Sequence, residues 1–262
     1  MLAIVEALAL EAGAEILDVR QRGYLARAKA DGSPVTEADQ RAERIIVSGL
    51  AKNFAGIPIV AEEMSAAGDI PAALGNSFFL VDALDGTKEF CSGRDEFTVN
   101  IALVEGGAPV LGVVFSPALR LLYCGQHDGN RNGQAFRASV SDRGELAKRE
   151  AISARPARDP LTILATRSHM NDETKNYLNR FPDSDFRSIG SSLKFCLLAA
   201  GQADLYPRFG TTMEWDTAAG DAVLRAAGGF TETLDGAALT YGRRGQAGMA
   251  DFQNPYFVSR GQ

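Results

Sequence analysis

Residues 77–94, SFFLVDALDGTKEFCSGR, read as a strand, an acidic turn and the start of a helix. Phe78 to Val81 form a short apolar run of strand character that delivers Asp82 to a turn, and the polar and aromatic mixture after Asp85, Gly86 and Thr87 suits a helix. Two acids thus stand together where a buried strand ends. A carboxylate there is costly unless it is paired, hydrogen-bonded or holding a metal, and neighbouring carboxylates cannot both ionise cheaply. A cation is therefore expected beside Asp82 and Asp85. Gly86 permits a tight turn with outward-facing N–H groups, and a helix opening near Thr87 adds more, which suits an anion. A metal on one side of the turn and an anion on the other predict phosphate chemistry.

The whole chain is compatible with that chemistry. Its 262 residues, 45% hydrophobic and 23% charged, allow a large core in one domain or in two joined subdomains. A formal charge of −6 argues against a nucleic-acid surface, which needs a basic stripe to displace counterions, but leaves room for a small anionic ligand. The start, MLAIVEALALEAGAEI, is apolar but carries Glu6, Glu11 and Glu15 and lacks a basic leading segment, so it reads as a folded helix and not as a secretory signal. No apolar run reaches membrane-spanning length. Cys91, Cys124 and Cys196 are far apart, odd in number and without C-x-x-C spacing, which predicts a reduced, cytoplasmic setting.

Outward from the acidic turn, the chain divides into two patterns. Ile4, Val5, Leu8, Ala12, Ile16 and Val19 give a core-facing helix, and Thr36-x-x-Asp39 ahead of Ala42, Ile45, Ile46 and Leu50 gives a capping box for a second, after the loop chemistry of Asp31 to Pro34. Local pattern alone makes Asp39 a helix cap. Ile57 to Ala61 is a strand candidate ending in Glu62 and Glu63; paired acids there usually mean a solvated loop, but neighbouring strands ending in acids mark a ligand site. Residues 97–124 hold three β-rich runs, a meander that predicts antiparallel pairing. The charged, turn-like stretch 139–150 is the candidate boundary between subdomains 1–145 and 146–262. Beyond it, strand and helix alternate, as in an α/β sheet with crossover helices.

Three later features could carry chemistry. Gly190-Ser191-Ser192 with Lys194 is a small-residue turn entering a helix, where hydroxyls and an ammonium could hold a phosphate or sugar; helix capping is the alternative. Asp216, beside Trp215, opens an Ala-rich helix. Arg167-Ser168-His169 follows a strand, and with His127 the only other histidine a His-based metal site is poorly supported. There is no G-x-x-x-x-G-K-[ST] phosphate loop and no G-x-S-x-G elbow. Ala83 and Leu84 separate Asp82 from Asp85, where a covalent aspartyl route wants one intervening residue, so direct attack by water is favoured.

Glu62-Glu63, the block from Asp82 to Thr87 and the block from Trp215 to Gly220 together resemble the three signature blocks of the inositol monophosphatase superfamily of magnesium-dependent, lithium-sensitive phosphatases. LDGTKEF, FTVNIALVEGG, TRSH and IGSSLKFCLLAAGQADLYPRFG are most similar to its bacterial 3'(2'),5'-bisphosphate nucleotidases. Ala83 departs from the proline common there, so a slightly different turn is expected around retained acids. The resemblance implies a mixed α/β (α+β) fold, an α-β-α-β-α sandwich with an antiparallel N-terminal sheet and a C-terminal α/β sheet. It implies two magnesium ions held by Glu62, Asp82, Asp85, Asp216 and the Leu84 carbonyl, with Asp39 near a third, weaker one. Glu62, Thr87 and Asp39 would orient the attacking water. Gly86 and Thr87 would hold the phosphate, and Ser191, Lys194, His169 and Arg208 the rest of a nucleotide. The implied reaction is removal of the 3'-phosphate of adenosine 3',5'-bisphosphate, or of 3'-phosphoadenylyl sulfate, in sulfur assimilation. The rivals are an inositol or sugar phosphatase of the same chemistry and a non-catalytic nucleotide sensor or scaffold on the same fold.

Overall fold

Val5, Leu8, Ala12, Ile16 and Val19 form the buried stripe of α1 (Leu2–Arg22) in a computed structural model that describes residues 1–29, 32–128, 133–166 and 171–262. A small antiparallel hairpin follows, β1 (Arg27–Ala28) and β2 (Pro34–Val35), where the sequence offered only loop signals. Thr36 then caps α2 (Glu37–Asn53): its hydroxyl accepts from the Ala38 N–H at 3.1 Å while Asp39 accepts from the Thr36 N–H at 2.7 Å. The predicted capping box is present.

Among the described residues the first sheet has seven strands in chain order. β3 (Ile59–Ala61) leads into a short helix α3 (Glu62–Ala66), where a solvated loop was the local expectation, and pairs in parallel with β4 (Ser77–Asp85). After the one-turn helix α4 (Thr87–Cys91), a meander of β5 (Thr98–Glu105), β6 (Ala108–Ser116), β7 (Leu121–His127), β8 (Gly133–Ser139) and β9 (Glu150–Ile152) is antiparallel throughout, as the turn spacing predicts. The second part supplies β10 (Thr162–Thr166), α5 (Asp172–Leu178), β11 (Asp185–Ile189), α6 (Leu193–Ala199), β12 (Leu205–Arg208), α7 (Glu214–Ala226), β13 (Phe230–Thr233) and β14 (Phe257–Arg260). Its sheet runs β11-β10-β12-β14-β13, with parallel pairing among the first three and antiparallel pairing to β14.

These elements stack in five layers. Helices α1 and α2 cover one face of the large sheet, burying Ile16, Ile46 and Leu50 with Phe79, Val81 and Ile101. On its other face α6 and α7 lie between the two sheets, where Phe78, Leu80, Phe195, Val223 and Phe257 share a core. Helix α5 packs outside the smaller sheet, with Tyr177 against Phe209. No helix among the described residues is long and apolar enough to cross a membrane.

One irregularity in β4 decides where the acids point. The strand does not stop at Asp82, as its apolar run suggested, but continues to Asp85 with a bulge against β5, so that Asp82 faces Asn100 and Asp85 faces Thr98. In a regular strand residues 82 and 85 would project to opposite faces. The extra residue cancels that: Ala83 and Leu84 both enter the core under α1 and α2, which leaves the two aspartates on the α7 side. The departure at Ala83 therefore sits inside a bulge and not in an open turn.

Helix α7 lies close on the large sheet because glycines leave room for it. A Cβ on Gly112 would run into the backbone carbonyl of Ala219, and one on Gly125 would come within 2.8 Å of the Val223 Cα. Neither backbone can yield cheaply. Gly112→Ala is expected to lower stability by about 2 kcal/mol by lifting α7, measured as a fall in the denaturation midpoint; an unchanged midpoint would show that the helix can slide without cost.

Candidate active site

The bulge aims Asp82 and Asp85 into a cleft at the end of β4, where α3 contributes Glu62 and the first turn of α7 contributes Asp216. One carboxylate oxygen each from Glu62, Asp82 and Asp216 lies within 4.8 Å of the others. Asp85 lines the same cleft, together with Leu84, Gly86 and Thr87 and, from the second part of the chain, Ser191, Lys194 and Arg208. Asp39 reaches the group through Thr87, whose hydroxyl stands 3.0 Å from Asp39 Oδ1 and 3.1 Å from the Leu84 carbonyl. The structure thus gathers all of these sequence-derived candidates except His169, which lies outside the described residues.

The three aspartates are each tethered by a backbone N–H, while Glu62 is held by a side chain. Asp82 accepts from the Leu84 N–H at 2.9 Å, Asp216 from the Met213 N–H at 2.8 Å, and Asp85 from the Ser192 N–H at 2.6 Å. Gly86 sits at φ 95°, a left-handed conformation that favours glycine and that opens α4 immediately after Asp85. Asp39 retains its capping role while bonding to Thr87, because its two oxygens face different partners.

Three contributors, Lys29, Glu43 and Asn100, escaped the local reading, and a fourth, Ser192, has a role other than the ligand contact or helix cap expected of it. Lys29, carried by the small hairpin, places its ammonium 2.6 Å from Glu62 and 2.5 Å from Glu63. Glu43, one turn beyond Asp39 on α2, accepts from the N–H groups of Glu63 at 2.7 Å and Met64 at 2.9 Å and so fixes α3. The i, i+4 spacing from Asp39 was its only sequence signal. Asn100 contacts Asp85 across the β4–β5 pair, and the Ser192 hydroxyl caps no backbone group of α6 but bonds to Asn100. Both depend on contacts distant in sequence.

The electrostatics suit a cation among these acids. Burial, then the charges of Glu62 and Asp85, push Asp82 well above the usual carboxylate range, and burial with Asp85 and Glu62 does the same to Asp216. Burial raises Asp85 to about 6 although Lys194 and the Ser192 N–H oppose it. Burial lowers Lys194 to about 8 against the pull of Asp85. At Lys29 burial acts to discharge the ammonium, but Glu62 and Glu63 outweigh it and raise its pKa. Oxygen-only donors with two nitrogenous cations as incomplete compensation suit a hard divalent ion such as Mg²⁺.

The profile of the inositol monophosphatase family matches residues 1–254. A Salmonella typhimurium protein named 3'(2'),5'-bisphosphate nucleotidase CysQ is 44% identical over 229 residues, covering 87% of this chain and 86% of its own. The crystal structure of CysQ from Bacteroides thetaiotaomicron is similar at a TM-score of 0.75 and 35% identity, covering 97% of this chain and 94% of that one. An inositol monophosphatase of Thermotoga maritima shares the fold at a TM-score of 0.72 and 24% identity, over 97% of this chain and 89% of its own.

The raised acids set a pH test. Glu43 and Glu214, which burial lifts to about 7, join Asp82, Asp85 and Asp216 in holding protons to higher pH folded than unfolded. Proton binding therefore favours the folded chain, fully so below the ordinary carboxylate range, and that contribution is lost as pH rises through about 6 for Asp85 and about 7 for Glu43 and Glu214. In EDTA the thermal midpoint is expected to fall between about pH 5 and about pH 8, and Mg²⁺ is expected to restore much of the loss at the upper end. A midpoint in EDTA that rises across that interval would contradict the cluster's electrostatics.

Proposed function

The chain belongs to the inositol monophosphatase family, and from that premise we propose that it is a magnesium-dependent 3'(2'),5'-bisphosphate nucleotidase, converting adenosine 3',5'-bisphosphate to AMP and phosphate. A second candidate substrate is 3'-phosphoadenylyl sulfate. The observation that carries this reading is the 44% identity to the Salmonella nucleotidase across most of both chains. A physical feature of the cleft supports it. A substrate with two phosphates needs positive charge beyond the metal, and Lys194 and Arg208, both buried, line the cleft that holds the acids. The Arg208 Nε is a buried donor with no partner among the described residues, and burial lowers the Lys194 pKa to about 8, so an anionic ligand would give the first a partner and favour the charged form of the second.

In this reading residues 1–145 supply Glu62, Asp82, Asp85, Asp39 and Thr87, and residues 146–262 supply Asp216 and the nucleotide contacts. Glu62, Asp82, Asp85 and Asp216, with the Leu84 carbonyl, would hold the magnesium, which when bound would supply Lewis-acid charge for the phosphoryl group, the attacking water and the leaving oxygen. The chain's own groups do the positioning. The Thr87 hydroxyl has one hydrogen; donating it to Asp39 leaves oxygen lone pairs to accept from the water, which Glu62 in the same cleft would also orient. Outward N–H groups of Gly86 and Thr87 would hold the phosphoryl oxygens. The Asp39 carboxylate, pinned by the Thr36 N–H and hydroxyl at 2.7 Å each, keeps the Thr87 hydroxyl from rotating.

Phosphate release from adenosine 3',5'-bisphosphate is expected to exceed that from inositol 1-phosphate by at least about a hundredfold in kcat/KM, to require Mg²⁺ and to be inhibited by lithium. Preference for inositol 1-phosphate would overturn the substrate assignment. Lys194→Met should raise KM for the bisphosphate about tenfold or more while leaving the Mg²⁺ requirement intact; an unchanged KM would remove Lys194 from the substrate contacts.

A further inference from the structure

Behind Asp85 lies a chain of polar side chains that the chemistry above does not use. Thr98 and Asn100 project from β5, and Ser192 stands at the entrance of α6, each no more than 2% exposed. Thr98 Oγ1 is 2.9 Å from Ser192 Oγ, Ser192 Oγ is 2.6 Å from Asn100 Oδ1, and Asn100 Nδ2 is 3.4 Å from Asp85 Oδ2. The backbone N–H of Ser192 also donates to that same Asp85 oxygen, at 2.6 Å. Among the described residues, the two hydroxyls and the side-chain amide bond only to one another and to Asp85.

The direction of the chain follows from counting hydrogens. An ionised Asp85 only accepts, so Asn100 must turn its amide nitrogen toward it and its oxygen toward Ser192. Ser192 must then spend its single hydroxyl hydrogen on Asn100, which leaves Thr98 as the donor to Ser192. One arrangement satisfies every member, and it ends on Asp85. A buried network with a single solution fixes its terminal group more firmly than isolated bonds would. Ser192 thereby holds Asp85 twice, once through its N–H and once through Asn100.

The same turn carries the substrate-side groups. Ser191 adopts φ 51°, which an ordinary side chain avoids, and the Lys194 ammonium donates to the Ser191 carbonyl at 2.5 Å and the Ile189 carbonyl at 3.2 Å. The backbone is thus locked on both sides of Ser192. We propose that Ser192 is a positioning residue whose hydroxyl, ordered by Thr98 and Asn100, fixes the Asp85 carboxylate for metal binding and ties the metal site to the turn bearing Ser191 and Lys194. This rests on Asp85 as a metal ligand and not on which phosphate ester is the substrate.

Metal binding tests it without turnover. Metal-free protein titrated with Mn²⁺, with free Mn²⁺ read by electron paramagnetic resonance, should give a binding midpoint about tenfold higher for Ser192→Ala than for wild type, the scale typical of lost outer-sphere support. Ser192→Ala keeps the backbone N–H, so the change reads the hydroxyl alone. Thr98→Val should raise the midpoint less, and Thr98→Ser, which returns the donor, should restore it. A wild-type midpoint in Ser192→Ala overturns the proposal, as does a Thr98→Ser variant no better than Thr98→Val. If Ser192→Ala fails to fold, the Thr98 pair decides. Wild-type protein that binds no Mn²⁺ would instead overturn the metal reading itself, and with it this one.

Discussion

Repulsion among carboxylates gathered in one cleft is the constraint on which the rest of this structure depends. Asp82 is buried, Asp85, Asp216 and Glu62 open only partly to solvent, and each raises the free energy of ionising its neighbours. A fold that keeps such a cluster must hold each member against the tendency to turn away. It does so with backbone donors from Leu84, Ser192 and Met213 and with two lysines, Lys29 and Lys194, that supply charge from the two parts of the chain. The lysines are incomplete substitutes. Lys29 pairs with Glu62 and Glu63, while Lys194 is itself pushed toward neutrality by burial. A divalent ion, with higher charge and more oxygen ligands, offsets the repulsion better than either.

The layered fold converts this demand into geometry. Helix α7 carries Asp216 at its start and lies against the large sheet where Gly112 and Gly125 admit it, so the packing of the middle layer sets the distance from Asp216 to Asp82. Helix α2 works along one face: Asp39 reaches Thr87 and Glu43 holds α3, so the helix steadies both the hydroxyl and the glutamate proposed to orient water. The bulge in β4 lets two acids an odd number of residues apart share a side.

Local chemistry was legible and register was not. The capping box at Thr36, the helix beginning at Thr87, the antiparallel meander and the alternation of the second part follow from residue types a few positions apart, and the structure has each of them. The acids at 62, 82, 85 and 216 stood out as acids, but only resemblance joined Asp216 to the others across more than a hundred residues. The bulge was hidden because it belongs to the pairing of β4 with β5 and not to either strand. Ser192 looked like a helix cap because that is the commonest local use of a serine before a helix; its partners, Thr98 and Asn100, are supplied by another layer. Two-residue strands such as β1 and β2 carry too little pattern to be read, so the approach of Lys29 to Glu62 had no sequence signal.

The central claim is that the carboxylate cluster is a metal site completed by ions. Anomalous diffraction from crystals grown with Mn²⁺ tests it most directly. The account requires density among Glu62, Asp82, Asp85 and Asp216, within coordinating distance of their oxygens. Crystals in saturating Mn²⁺ with no anomalous peak there, and with Lys29 as the only cation on Glu62, would contradict it.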